Sequence, residues 1–76
     1  MELKTLAELC PGQEGTIHQV TGTGLFFNRL RALGLRPEVQ LSVVKRAPLG
    51  DPIEIRLLGS HLAIRTHEAN HILLAV

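Results

Sequence analysis

The chain has 76 residues, a net charge of +1 and two aromatic side chains, Phe26 and Phe27. A single domain of this size buries roughly 60% of its unfolded surface, which leaves little volume for a deep catalytic cleft. Near-neutral charge and few rings argue against duplex binding or base stacking, which need a basic excess and several aromatic platforms.

Leu3 to Leu9 reads as a short N-terminal helix. Thr5 is its cap and Glu8 stands at the capping-box spacing, and Pro11-Gly12 stops it. Glu14 to Thr21 reads as a strand with Ile17 and Val20 facing inward, followed by the turn Thr21-Gly22-Thr23-Gly24. Leu25 to Leu33 is the clearest helix, because Phe26, Leu30 and Leu33 fall at i, i+4 and i+7. Gly34 is placed as its left-handed C′ residue, with Pro37 soon after.

Val39 to Lys45 and Ile53 to Leu58 are two strands around Arg46-Ala47-Pro48-Leu49-Gly50-Asp51-Pro52. In the second strand Ile53, Ile55 and Leu57 alternate with Glu54 and Arg56, the period of a half-buried strand. Each proline removes a ladder donor and fixes φ, so the pair fences the hairpin at its tip. Gly59-Ser60 reads as a two-residue type II′ turn. His61 to Arg65 is a short strand, Thr66 to Asn70 at most one helical turn, and His71 to Val76 a closing strand. Five short strands with one inserted helix predict a mainly β protein, a small, partly open SH3-like barrel.

Cys10 is the one cysteine, so no internal disulfide can form. With no base nearby it reads as a partly buried structural thiol. The first residues lack a secretory leader pattern, and no apolar run approaches the roughly 20 residues that cross a bilayer. The expectation is one soluble, cytoplasmic domain over residues 1–76, without direct membrane insertion. Exposed strand edges leave it a monomer or a weak homo-oligomer.

His67-Glu68-Ala69-Asn70-His71 matches H-E-x-x-H, which on a sustained helix holds zinc between two imidazoles. Here the segment reads as strand, turn, strand, and no third ligand follows His71, so the protease reading is rejected for a surface turn. No cofactor is expected. A weak divalent-metal site at His67 and His71, with His61 nearby if the strands pair, is the alternative. His18 decorates a strand surface.

Arg29, Arg31, Arg36, Lys45 and Arg46 make the main basic cluster, read as a solvated face rather than a nucleic-acid site. Phe27 points about 100° away from Phe26 on the helix. It either marks a docking surface or lies over Val44 or a neighbouring strand residue. The helix from Leu25 to Arg36, with the Pro48 to Pro52 turn beside it, is the candidate contact surface. Its named residues are Phe27, Arg29, Arg31, Arg36 and Leu49.

Four stretches in order resemble the FeoA family, ferrous iron transport protein A. They are Leu6-x-x-Leu9-x-Pro11-Gly12-x-x-Gly15-x-Ile17, Arg29-Leu30-x-x-Leu33-Gly34-Leu35-x-Pro37, Ala47-Pro48-Leu49-Gly50-Asp51-Pro52-Ile53 and Leu62-Ala63-Ile64-Arg65-x-x-Glu68-Ala69-x-x-Ile72. The resemblance implies an SH3-like barrel and a small, non-enzymatic cytosolic accessory of bacterial ferrous iron uptake that contacts the FeoB permease. The alternative it implies is a metal-responsive regulatory barrel akin to the C-terminal domain of DtxR-like repressors. Glu38 departs from the family pattern, which often has glycine there; a turn that needs φ > 0 would be strained by Glu, so a different local turn is expected. Phe27 stands where a polar residue is expected.

Overall fold

Alternation along the strands decides which faces the chain buries. In a computed structural model describing residues 2–76, Ile53, Ile55 and Leu57 are buried and Arg56 is exposed, as period two requires. The chain folds as β1 (Leu3–Thr5), a 3-10 turn (Leu6–Glu8), β2 (Glu14–Val20), α1 (Gly24–Ala32), β3 (Gln40–Arg46), β4 (Ile53–Leu57), β5 (Ser60–Ile64), α2 (Thr66–Ala69) and β6 (Ile72–Ala75). The strands form one antiparallel sheet in the order β1-β6-β2-β3-β4-β5. The architecture is mainly β, as expected, with six strands rather than five.

The extra strand is Leu3–Thr5, which replaces the first half of the expected N-terminal helix. The edge of β6 offers backbone groups that Leu3, Lys4 and Thr5 satisfy by pairing with Ala75, Leu74 and Leu73. Only one turn of helix is left. Its capping box forms: the Thr5 N–H donates to Glu8 Oε1 at 2.9 Å. Leu6 and Leu9 then enter the core. Cys10, just beyond, is exposed instead of part-buried.

Two bulges re-aim side chains. His18 is the extra residue of β2 against β6, and Val44 that of β3 against β4. Both are therefore turned to solvent. The hairpin begins where the prolines set it, with Arg46 opposite Ile53. Arg46 is not part of a solvated basic face: its guanidinium donates to the carbonyls of Ala7 and Leu9, the latter at 2.9 Å, pinning the N-terminal turn to β3.

Helix α1 ends in a Schellman motif. The Leu35 N–H reaches Leu30 O at 3.1 Å and the Gly34 N–H reaches Arg31 O at 3.0 Å, with Gly34 at φ +99°. This reversal carries Leu35 into the core beside Leu30 and leaves Leu33, the expected core residue, at the surface. Next, Arg36-Pro37-Glu38-Val39 makes a turn closed by Val39 N–H to Arg36 O at 3.3 Å. Proline at i+1 and φ 76° at Glu38 make it type II, so the position asks for glycine and Glu38 bears the left-handed conformation. The β4–β5 turn is Leu58-Gly59, one residue earlier than expected, because Leu57 pairs with Ser60. Both turn residues have positive φ, 52° and 80°, which is type I′ geometry rather than II′. Keeping Leu57 inside forces Leu58 out, where it is 75% exposed.

Glu38→Gly and Leu58→Asn should therefore each stabilise the fold by about 0.5–1 kcal/mol, since a left-handed residue with a Cβ is strained and Asn-Gly suits the I′ turn. Thermal melts of the two variants check this. A fall in either midpoint would show that the side chain compensates locally for its backbone.

Candidate partner-docking surface

Helix α1 has a single fully buried side chain, Leu30. Phe26 and Phe27 are half-buried against the core. What else holds the helix is electrostatic. Glu68 of α2 is buried, and its Oε2 accepts from Arg29 Nη1 while its Oε1 accepts from the Arg65 N–H at 3.0 Å. A carboxylate taken out of water needs such donors, so α1 and α2 are tied together by its burial. The H-E-x-x-H glutamate is thus a structural acid, not a surface residue. The signal that could have found it is the spacing Arg65-x-x-Glu68, which puts Glu68 at the third helical position of a capping box.

Helix α2 is tied in turn to the proline-fenced hairpin tip. Asp51 Oδ1 accepts from the Thr66 N–H at 2.8 Å, and Thr66 Oγ1 lies 3.2 Å from the same oxygen. A residue 15 positions earlier thereby caps α2. The Thr66 backbone N–H is the main cause that holds the Asp51 carboxyl below its ordinary value. Desolvation opposes it, and the Thr66 hydroxyl and Arg65 add to it. So α1, α2 and the 47–52 turn are linked through two carboxylates, and the expected contact region is a connected unit.

Three side chains of this unit face solvent with little to hold them. Leu49 is 97% exposed at the hairpin tip and Leu25 87% exposed in the first turn of α1. Arg31 stacks its guanidinium 5.6 Å from the centroid of Phe27. Leu25 lies outside the i, i+4, i+7 stripe, so apolar spacing carries no signal for it. Arg36 bonds back to Arg31 O at 3.3 Å. Arg29 has a dual position: its side chain is 60% exposed, yet it serves Glu68.

His67 and His71 both lie against Phe26, apart from His61. His71 meets Phe26 edge-on at 4.9 Å and has Nδ1 3.1 Å from Thr21 Oγ1, while His67 lies on Phe26 at 6.2 Å between centroids. His61 is elsewhere, on β5, with Nε2 2.9 Å from Arg56 Nη2. Among the described residues no group of three His, Cys, Asp or Glu is arranged to hold a metal ion. Nor is any described helix long and apolar enough to cross a membrane.

Residues 4–76 match the family model of the FeoA domain. A fusion protein of Porphyromonas gingivalis, joining an Fe(2+) transport protein A to an Fe(2+) transporter FeoB, is 33% identical over 64 residues. That stretch is 84% of this chain but 8% of the fusion. The solution structure of FeoA from Chlorobium tepidum superposes with a TM-score of 0.85 at 35% identity, over 96% of this chain and 70% of that one. Stenotrophomonas maltophilia FeoA, solved with zinc and described as an SH3 domain protein, gives 0.83 at 24% identity over 95% and 89% of the two chains. At that identity the likeness shows the fold alone, an SH3-like barrel.

Arg29→Ala should cost about 1–3 kcal/mol, since it strips a buried carboxylate of one donor, with solvent access at Arg29 softening the loss. Arg31→Ala should cost less than about 1 kcal/mol. Chemical denaturation of both variants separates the roles, and equal costs would refute the tie between the helices. A second expectation concerns acid. Because its folded pKa is depressed, Asp51 contributes stability that is present above its ordinary 3.8 and is lost as pH falls through the lower folded value. Glu8, held below 4.5 mainly by the Thr5 N–H, acts in the same direction. Melting midpoints of the parent and Asp51→Asn should converge on acidification through that window, and a constant gap would contradict the linkage.

Proposed function

Because this chain belongs to the FeoA domain family, we propose that it is a non-catalytic accessory of ferrous iron uptake that works by touching a FeoB-like permease. The supporting observation is the Porphyromonas gingivalis fusion, in which a segment like this one is joined to an Fe(2+) transporter FeoB. A covalent tether replaces a bimolecular encounter with an intramolecular one, which is useful only if the tethered parts meet. The present chain spans 8% of that fusion, and the contact proposed is the one that such a tether would favour.

The surface best suited to that contact is the α1, α2 and hairpin-tip unit. Leu25, Leu49 and the Phe27–Arg31 stack offer apolar and cationic anchors on a backbone held rigid by Glu68 and Asp51. Rigid anchors lose little entropy on binding.

The tagged chain should recover an iron permease from detergent-solubilised native membranes, as identified by mass spectrometry. Leu25→Glu and Phe27→Ala should each reduce that recovery. A glutamate in the first turn of α1 favours the helix by about 0.3–1 kcal/mol, so loss of recovery by Leu25→Glu would not reflect unfolding. Recovery of no permease by the parent chain would overturn the reading.

A further inference from the structure

The H-E-x-x-H segment carries two histidines that the α1 contact surface does not use. Its glutamate is turned inward, with Oε2 on Arg29 and Oε1 on the Arg65 N–H. His67 and His71 stand on another side of the same turn. Helix α2 ends at Ala69, but Asn70 keeps helical dihedrals of −65° and −16°, and the His71 N–H donates to Glu68 O at 3.0 Å. The turn therefore runs on to His71, and residues four apart on it share a side. Phe26 of α1 meets both rings: His71 edge-on at 4.9 Å between centroids, and His67 tilted by 32° at 6.2 Å. Since Phe26 is itself packed against the core, the two imidazoles have a common seat.

Thr21 gives His71 a second support. The Thr21 N–H donates to His71 O at 2.8 Å. Its Oγ1 lies 3.4 Å from the same carbonyl oxygen and 3.1 Å from His71 Nδ1. A hydroxyl has one proton and two lone pairs, so giving that proton to the carbonyl leaves it able to accept from Nδ1–H. In that arrangement Nε2 holds its lone pair, and a metal ion at Nε2 selects it. An oxygen acceptor behind the second ring nitrogen is the support that metal-bound histidines use. Gly22 makes room for this packing: a Cβ there would stand 3.1 Å from Phe26 Cδ2 and 3.9 Å from His71 Nδ1.

The neighbouring acids are committed elsewhere, Glu68 to Arg29 and Arg65, and Asp51 to Thr66 and Arg65. The donors here are thus two imidazoles, which suit Zn²⁺, Ni²⁺ and Cu²⁺ rather than Mg²⁺ or Ca²⁺. His67 is exposed and His71 half-buried, so solvent reaches the pair. We propose that His67 and His71 hold a divalent transition-metal ion of the Zn²⁺ class, through Nε2 of His71 and an imidazole nitrogen of His67, with water on the remaining positions. Two protein ligands make this an open, exchangeable site rather than a closed structural one. It is independent of the accessory reading, whose anchors are Leu25, Leu49, Phe27 and Arg31.

Calorimetric titration of Zn²⁺ into the full chain tests it. One ion per chain should bind, and about tenfold excess Mg²⁺ should not displace it. His67→Ala and His71→Ala should each weaken binding at least about tenfold, while His18→Ala and His61→Ala bind as the parent does. Thr21→Val should weaken it by about tenfold, the usual cost of removing such a support. Parental affinity in His67→Ala or His71→Ala would overturn the site, as would loss of binding in His18→Ala or His61→Ala. Should His71→Ala fail to fold without metal, the exposed His67 decides. Parental affinity in Thr21→Val would overturn the assignment of Nε2 as the His71 ligand. A chain that recovers no permease yet binds Zn²⁺ through this pair sinks the accessory reading and leaves the metal site standing.

Discussion

A single buried carboxylate organises the side of the molecule that carries its accessories. Glu68 cannot leave water without donors, and the two it finds come from different places: Arg29 on α1 and the backbone of Arg65 before α2. Helix α1 buries only one side chain completely, so apolar packing alone holds it weakly. The ion pair fixes where it sits. Desolvation makes this pair more consequential than its length on the chain suggests, because an unpaired carboxylate in that position costs more than a surface bridge ever gains.

The same logic extends outward. Helix α2 has four residues and cannot stand alone, and its first N–H groups are met by Arg65–Glu68 and by Asp51 from the hairpin tip. Leu25, Leu49 and the Phe27–Arg31 stack are thus displayed on connected supports rather than on independent loops. On the sheet, the positive φ at Glu38 and Leu58 has the opposite character. There the backbone is strained and the side chains are the ones a turn would not select. One face spends buried contacts on rigidity, and the other holds exposed groups at a cost in stability.

Much of the scaffold was legible in the residues. Alternation placed Ile53, Ile55 and Leu57 inside, the prolines set the hairpin tip, and Gly34 marked the end of α1, since each of these depends on local geometry. Leu3–Thr5 was not legible as a strand, because its partner lies at the other end of the chain. Arg46 looked like one more solvated cation until Ala7 and Leu9 presented their carbonyls to it. Cys10 looked part-buried because it follows a helix that turned out to be a single turn. The candidate surface was legible as the right segments, but not through its most exposed helical residue, Leu25. Nor did sequence show the carboxylates that connect those segments.

The sequence by itself determined a small aliphatic β barrel with one inserted helix, and the turns that glycine and proline impose. Those follow from periods of two and 3.6 and from backbone sterics, which act over a few residues. Only the tertiary structure decided that Glu68 is buried, that Asp51 caps a helix 15 residues on, and that Glu38 and Leu58 line one open depression. Burial and long-range pairing depend on which distant groups the fold brings within a few ångströms, and no local pattern encodes that.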